Sequence, residues 1–117
     1  MAMKKIAILR CLNTSQTCTG SGCLKAWNDK TKAFSCYADE DVTLASFFLC
    51  NGCDKDPVQD EGMLKKLDRL QKMEIDVVHT AGCTMKDKEN QKRCPNVEKI
   101  VELLQERGIQ TVHGTHK

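Results

Sequence analysis

The residues able to do chemistry in this chain are its sulfurs. Eight cysteines occur in 117 residues, with three histidines beside them. Two of the cysteines form a C-x-x-C pair, Cys50-Asn51-Gly52-Cys53, within the stretch FFLCNGCDKD (47–56). A pair at that spacing serves thiol–disulfide exchange, half of a zinc knuckle, or one corner of a larger thiolate site. The pair alone does not choose among the three, so its meaning depends on where the other cysteines fall.

That placement is set by the elements carrying them. Residues 4–10, KKIAILR, are an aliphatic run too short for a stable helix and read as a strand. The runs 42–49, 75–81 and 109–113 read the same way. Between the first two strands, 23–34 has the pattern of a helix with Ser21 as its N-cap and Leu24 and Trp27 on one face. A second helix opens at Asp56 as N-cap, with Pro57 at the first helical position and Gln59 completing a capping box. Its apolar face is Met63, Leu64, Leu67, Leu70 and Met73. A third opens at Cys94-Pro95 and runs to Gly108 as its C′ residue. The segments 12–22 and 84–93 read as loops. Apolar strands alternating with amphipathic helices specify a parallel sheet covered on both faces. With right-handed crossovers, the expected fold is a small doubly wound, flavodoxin-like α/β domain over 1–117, with four parallel strands in the order 2-1-3-4.

In such a sheet every strand delivers a Cys or His at its C-terminal end. Cys11 ends the first strand. Cys50 ends the second, with Cys53 just beyond. Cys83 lies two residues past the third. His113 ends the fourth, and His116 follows. Ligands of open α/β sheets bind on that edge. Neighbouring strands are ~4.8 Å apart, and sulfurs on one tetrahedral zinc lie roughly 3.8 Å from each other. Cys11, Cys50, Cys53 and Cys83 are therefore the first candidates for a metal-binding thiolate set. Cys18, Cys23, Cys94, His113 and His116 form a second line. Cys94 stands at a helix N-cap, where the helix dipole favours a thiolate. Thiolates suit Zn2+ and iron–sulfur clusters alike.

Other readings of single residues stand beside this one. An isolated cysteine is often a buried, inert side chain, and Cys36, away from the edge, is expected to be one. His79, inside the third strand, is expected to pack or to make a structural hydrogen bond. The loop LNTSQTCTGSG (12–22), with Gly20 and Gly22 before a helix, weakly resembles an anion cradle; an ordinary polar loop is the plainer reading. If the Cys50–Cys53 pair instead exchanges disulfides, the protein is a thiol redox enzyme. If all the thiols are merely buried, it is a structural or interaction module.

Composition narrows the classes further. Eighteen basic against sixteen acidic residues leave a net charge of +2, too small to mark a nucleic-acid binder. The aromatics Trp27, Phe34, Tyr37, Phe47 and Phe48 form no base-stacking pattern. No stretch approaches the ~20 apolar residues of a membrane span, and the apolar run after Lys4-Lys5 is too short for a signal peptide. A cytoplasmic protein with neither membrane nor nucleic-acid partner is expected. In a reducing compartment this many cysteines leans towards metal or thiol chemistry. Spacing excludes some relatives. A zinc ribbon needs two C-x-x-C pairs, a bacterial ferredoxin needs C-x-x-C-x-x-C, and a cysteine phosphatase needs C-x5-R, whereas Thr17 stands six residues after Cys11. A thioredoxin places its pair on a helix N-terminus, and Asp54-Lys55-Asp56 intervenes here. A flavodoxin would share the topology but flanks its flavin with aromatics.

Nearly the whole chain resembles the CGGC-domain family. The resemblance rests on IAILRC (6–11), CTGSGC (18–23), FFLCNGC (47–53), HTAGC (79–83), Cys94-Pro95 and GTH (114–116), in that order. These are small prokaryotic proteins rich in cysteine and histidine, and the resemblance implies metal binding rather than any particular reaction. At 50–53 the chain has CNGC where the family motif has CGGC. The change keeps both sulfurs and adds the Asn51 side chain beside the site.

Overall fold

A computed structural model describes residues 4–12, 16–52, 54–81, 85–87 and 92–115. Four parallel strands form the main sheet: β1 (Lys4–Arg10), β2 (Val42–Leu49), β3 (Val77–Thr80) and β6 (Gln110–His113). Their order is β2-β1-β3-β6, the expected 2-1-3-4 arrangement, with β1 paired to both β2 and β3. Within 84–93, expected to be a plain loop, β4 (Met85–Asp87) and β5 (Lys92–Arg93) pair antiparallel. Strands of three and two residues are too short to carry a periodic signal.

Two cores lie on opposite faces of the sheet. β1 supplies both by alternation. Ala7 and Leu9 join the core beneath α2 (Glu61–Lys72) and α3 (Pro95–Glu106), while Ile6 and Ile8 join the core beneath α1 (Ser21–Asp29). All four are fully buried, and each such aliphatic side chain contributes about 1.5–3 kcal/mol, alanine less. The α2 face buries Met63, Leu67 and Leu70, and the α3 face buries Val97, Ile100, Val101 and Leu104. No helix among the described residues is long and apolar enough to cross a membrane.

Three helix boundaries differ from the sequence reading. α1 starts earlier and ends sooner than 23–34: Gly20, not Ser21, is its N-cap. It stops at Lys30, which adopts a left-handed φ of 53° and returns its N–H to the Ala26 and Trp27 carbonyls. A 3-10 helix (Lys32–Tyr37) then carries Phe34 and Tyr37 into the core. The buried stripe of α1 is Cys23, Ala26 and Trp27, at i, i+3 and i+4, so Leu24 falls outside it and is 39 % exposed. α2 starts one turn later than expected. Asp60 is its N-cap and accepts from the Met63 N–H. Asp56 instead closes a turn, its carboxylate accepting from Val58 N at 3.1 Å and its carbonyl accepting from Gln59 and Asp60. α3 follows the reading, with Cys94 as N-cap and Pro95 at the first position.

β2 carries an irregularity that matters for the site. Ile6 pairs with Leu44 and Ala7 with Ser46, so Ala45 is an extra residue. Strand side chains alternate, so one extra residue reverses the faces of all that follow. Leu44 packs on the α1 core, whereas Phe48 and Cys50 belong to the α2/α3 core.

Candidate functional site

The C-terminal ends of β1, β2 and β3 lie side by side, as their registers require. Cys11 directly follows β1, and Cys50 directly follows β2. Cys50 is buried, and its Sγ accepts the Leu12 N–H at 3.3 Å, which ties the segment after β1 to the segment after β2. The Cys50 N–H in turn donates to the Arg10 carbonyl at 3.0 Å. Cys94 packs against the core that contains Cys50. The three sulfur-bearing residues Cys11, Cys50 and Cys94 therefore occupy one edge, and none is in a disulfide. The Ala45 bulge makes this possible, because plain alternation from Leu44 would send Cys50 to the α1 face.

The Cys50–Gly52 turn is clipped to α2 by side chains the cysteine pattern did not reveal. Asn51 Nδ2 donates to Asp60 Oδ2 at 2.6 Å, and Lys66 Nζ donates to Asn51 Oδ1 at 2.6 Å and to the Leu49 carbonyl at 2.7 Å. The Asn51 hydrogen bond holds the Asp60 carboxyl below its ordinary range. Burial pushes the Lys66 ammonium down, opposed by the negative charge that Cys50 and Asp60 can carry beside it. The crevice between this turn and α3, lined by Cys50, Asn51, Met63 and Asn96, is too tight to admit water.

The remaining candidates are distributed differently. Cys18 lies in the loop before α1, where its carbonyl accepts from Arg10 Nη2 at 3.1 Å. Cys23 is buried in the α1 core, across the sheet from Cys50, with Sγ 3.2 Å from Thr115 Oγ1. His113 is exposed at the end of β6, with Nδ1 2.8 Å from Thr80 Oγ1. Cys53, Cys83 and His116 lie outside the described residues. Among the described residues, no three Cys, His, Asp or Glu side chains are gathered closely enough to hold a metal ion.

Two single-residue readings can be compared directly. Cys36, expected to be buried, is exposed, and its Sγ lies 3.6 Å from the Ala33 carbonyl. The 3-10 helix turns Phe34 and Tyr37 inward, and Cys36 between them faces out. His79 makes the structural hydrogen bonds expected of it. It is fully buried, with Nδ1 2.8 Å from the Gly114 carbonyl and Nε2 2.8 Å from Tyr37 Oη. A carbonyl only accepts, so Nδ1 carries the proton and Nε2 accepts from the tyrosine. Burial lowers the His79 pKa and pushes Tyr37 up to about 12, with Cys36 and Glu40 adding to the latter.

No curated protein and no solved structure matches the chain. The family model described as CGGC domain matches residues 5–116, a span running from the second residue of β1 past the last described residue and taking in all eight cysteines. The chain belongs to the CGGC domain family.

Proposed function

We propose that this protein binds a metal through thiolates gathered at the C-terminal edge of its sheet. Cys11, Cys50, Cys53 and Cys83 are the first set, and Cys94 stands ahead of Cys18, Cys23, His113 and His116 in the second. The observation that carries this reading is the Leu12 amide donating to Cys50 Sγ while Cys11 and Cys94 share its edge. A metal-bound sulfur keeps acceptor capacity, and amide N–H groups directed at it tune the site. The Lys66 ammonium beside Cys50 compensates charge that a thiolate set accumulates. The donor chemistry thus fits a soft or borderline metal. When bound, it would crosslink the ends of three strands and be either Zn2+ or an iron–sulfur cluster.

Elemental analysis and a visible spectrum of protein purified without air test the proposal. One metal equivalent per chain in colourless protein identifies zinc; iron with sulfide-to-iron absorption identifies a cluster. Metal-free protein whose Cys50 and Cys53 are rapidly alkylated would overturn the reading in favour of thiol–disulfide exchange.

A further inference from the structure

Arg10, the last residue of β1, is 5 % exposed. Its guanidinium runs beneath the turn that enters α1. Nη2 donates to the Cys18 carbonyl, and Nη1 lies 3.1 Å from the point a Cβ on Gly20 would occupy. The Phe47 ring covers the guanidinium, 5.1 Å from ring centroid to Cζ. Among the described residues no carboxylate pairs with Arg10, and its Nε is buried with no acceptor. An arginine does not shed its charge in a protein, and an unpaired buried charge costs several kcal/mol. Among the described residues this fixed positive charge is therefore without a counter-charge.

A second positive feature meets it there. α1 begins at Ser21 directly over the guanidinium. Its N-cap Gly20 offers no side-chain acceptor, and its first turn holds no acidic residue. Gly20 has a φ of +82°, and a Cβ there would also stand 3.0 Å from Phe47 Cζ, so both conformation and contact require glycine. Gly22, the second residue of the helix, brings no side chain of its own to that turn. The Ser21 N–H has only a long contact, 3.4 Å to Thr19 Oγ1.

We propose that the N-terminus of α1, at Gly20–Gly22 over Arg10, binds a tetrahedral oxyanion of the phosphate class, with Arg10 as its counter-charge and the Ser21 and Gly22 amides as donors. The ion is free phosphate or the phosphoryl group of a monoester; both present the same charge and acceptors to this site. This binding does not depend on the metal site.

The test is thermal melting and calorimetric titration of the full chain, as purified, with inorganic phosphate, phenyl phosphate and chloride at matched ionic strength. Phosphate is expected to raise the melting temperature saturably and chloride not to. Tighter binding of phenyl phosphate assigns the site to an esterified group, and tighter binding of inorganic phosphate to the free ion. Ser21→Asp places a carboxylate in the first turn, a position the helix itself favours, so the variant folds. It should melt higher than wild type without phosphate and bind phosphate roughly ten- to a hundred-fold more weakly, the loss of one charge-assisted hydrogen bond. Identical melting in phosphate and chloride would overturn the proposal, as would unchanged phosphate affinity in Ser21→Asp. A phosphate response found only after chelator treatment would overturn it too, because Arg10 would then be the counter-charge of a metal–thiolate group.

Discussion

Asn51 shows how one side chain can alter a family motif without touching its sulfurs. It bridges Asp60 and Lys66, and so fixes the turn between Cys50 and Cys53 to α2. Asn51→Gly restores the CGGC spelling and removes both hydrogen bonds. It is expected to destabilise the protein by about 1–2 kcal/mol, read as a lower urea midpoint, and to weaken metal retention in competition with a chelator. The cysteines themselves were legible, because aliphatic runs mark where strands end and the sulfurs follow those runs. Asn51 was visible only as a departure from a motif, since its partners sit nine and fifteen residues away. Arg10 was not legible at all. An arginine closing an apolar strand ordinarily reaches for solvent, and here Phe47 of β2 and the backbone at Cys18 and Gly20 cover it.

At the scale of elements, periodicity located the strands and helices, while cap chemistry was ambiguous. Asp56-Pro57 and Asp60-Glu61 both spell a helix start, and a single sequence does not say which carboxylate meets the helix. The structure assigns the cap to Asp60. Asp60→Ala should therefore cost about 1–2 kcal/mol, with the loss of the Asn51 bond included, and Asp56→Ala clearly less; paired denaturation curves check the ranking. The Ala45 bulge was equally hidden, because VTLASFFL reads as a continuous apolar strand. Deleting Ala45 would turn Ser46, Phe48 and Cys50 to the face now occupied by Leu44. The expected result is a loss of about 3 kcal/mol or more, together with a drop in metal bound per chain, measured by denaturation and elemental analysis.

Over the whole molecule, the fold class and strand order followed from the alternation of elements, and the two-sided core followed from β1. What did not follow was the bond pattern through the α1 face, where Tyr37, His79 and Gly114 join segments far apart in sequence. That cluster gives global stability a pH dependence at both extremes. His79 has a depressed pKa, chiefly from burial. Below about pH 6.5 the unfolded chain takes up a proton that the folded chain resists, so stability falls as the pH drops. Tyr37 has the opposite shift, from 10.0 to about 12. Its contribution is complete below pH 10 and is lost as the pH rises from there to about 12. Urea midpoints across this range should form a plateau with two falling limbs, and His79→Gln, which can still donate to Gly114 and accept from Tyr37, should flatten the acid limb.

The bulge has one more consequence, for solubility. β2 and β6 are the two margins of the sheet, and an unpaired margin invites a second chain to add itself as a further strand. β6 is only four residues long, a poor template. β2 has eight residues, an exposed Phe47 and no charged residue within it, the profile of an aggregation-prone border. By breaking the even spacing of β2 near its middle, Ala45 spoils the straight template that stacking copies would need. The residue that points Cys50 towards its edge thus also helps keep neighbouring molecules from joining sheet to sheet.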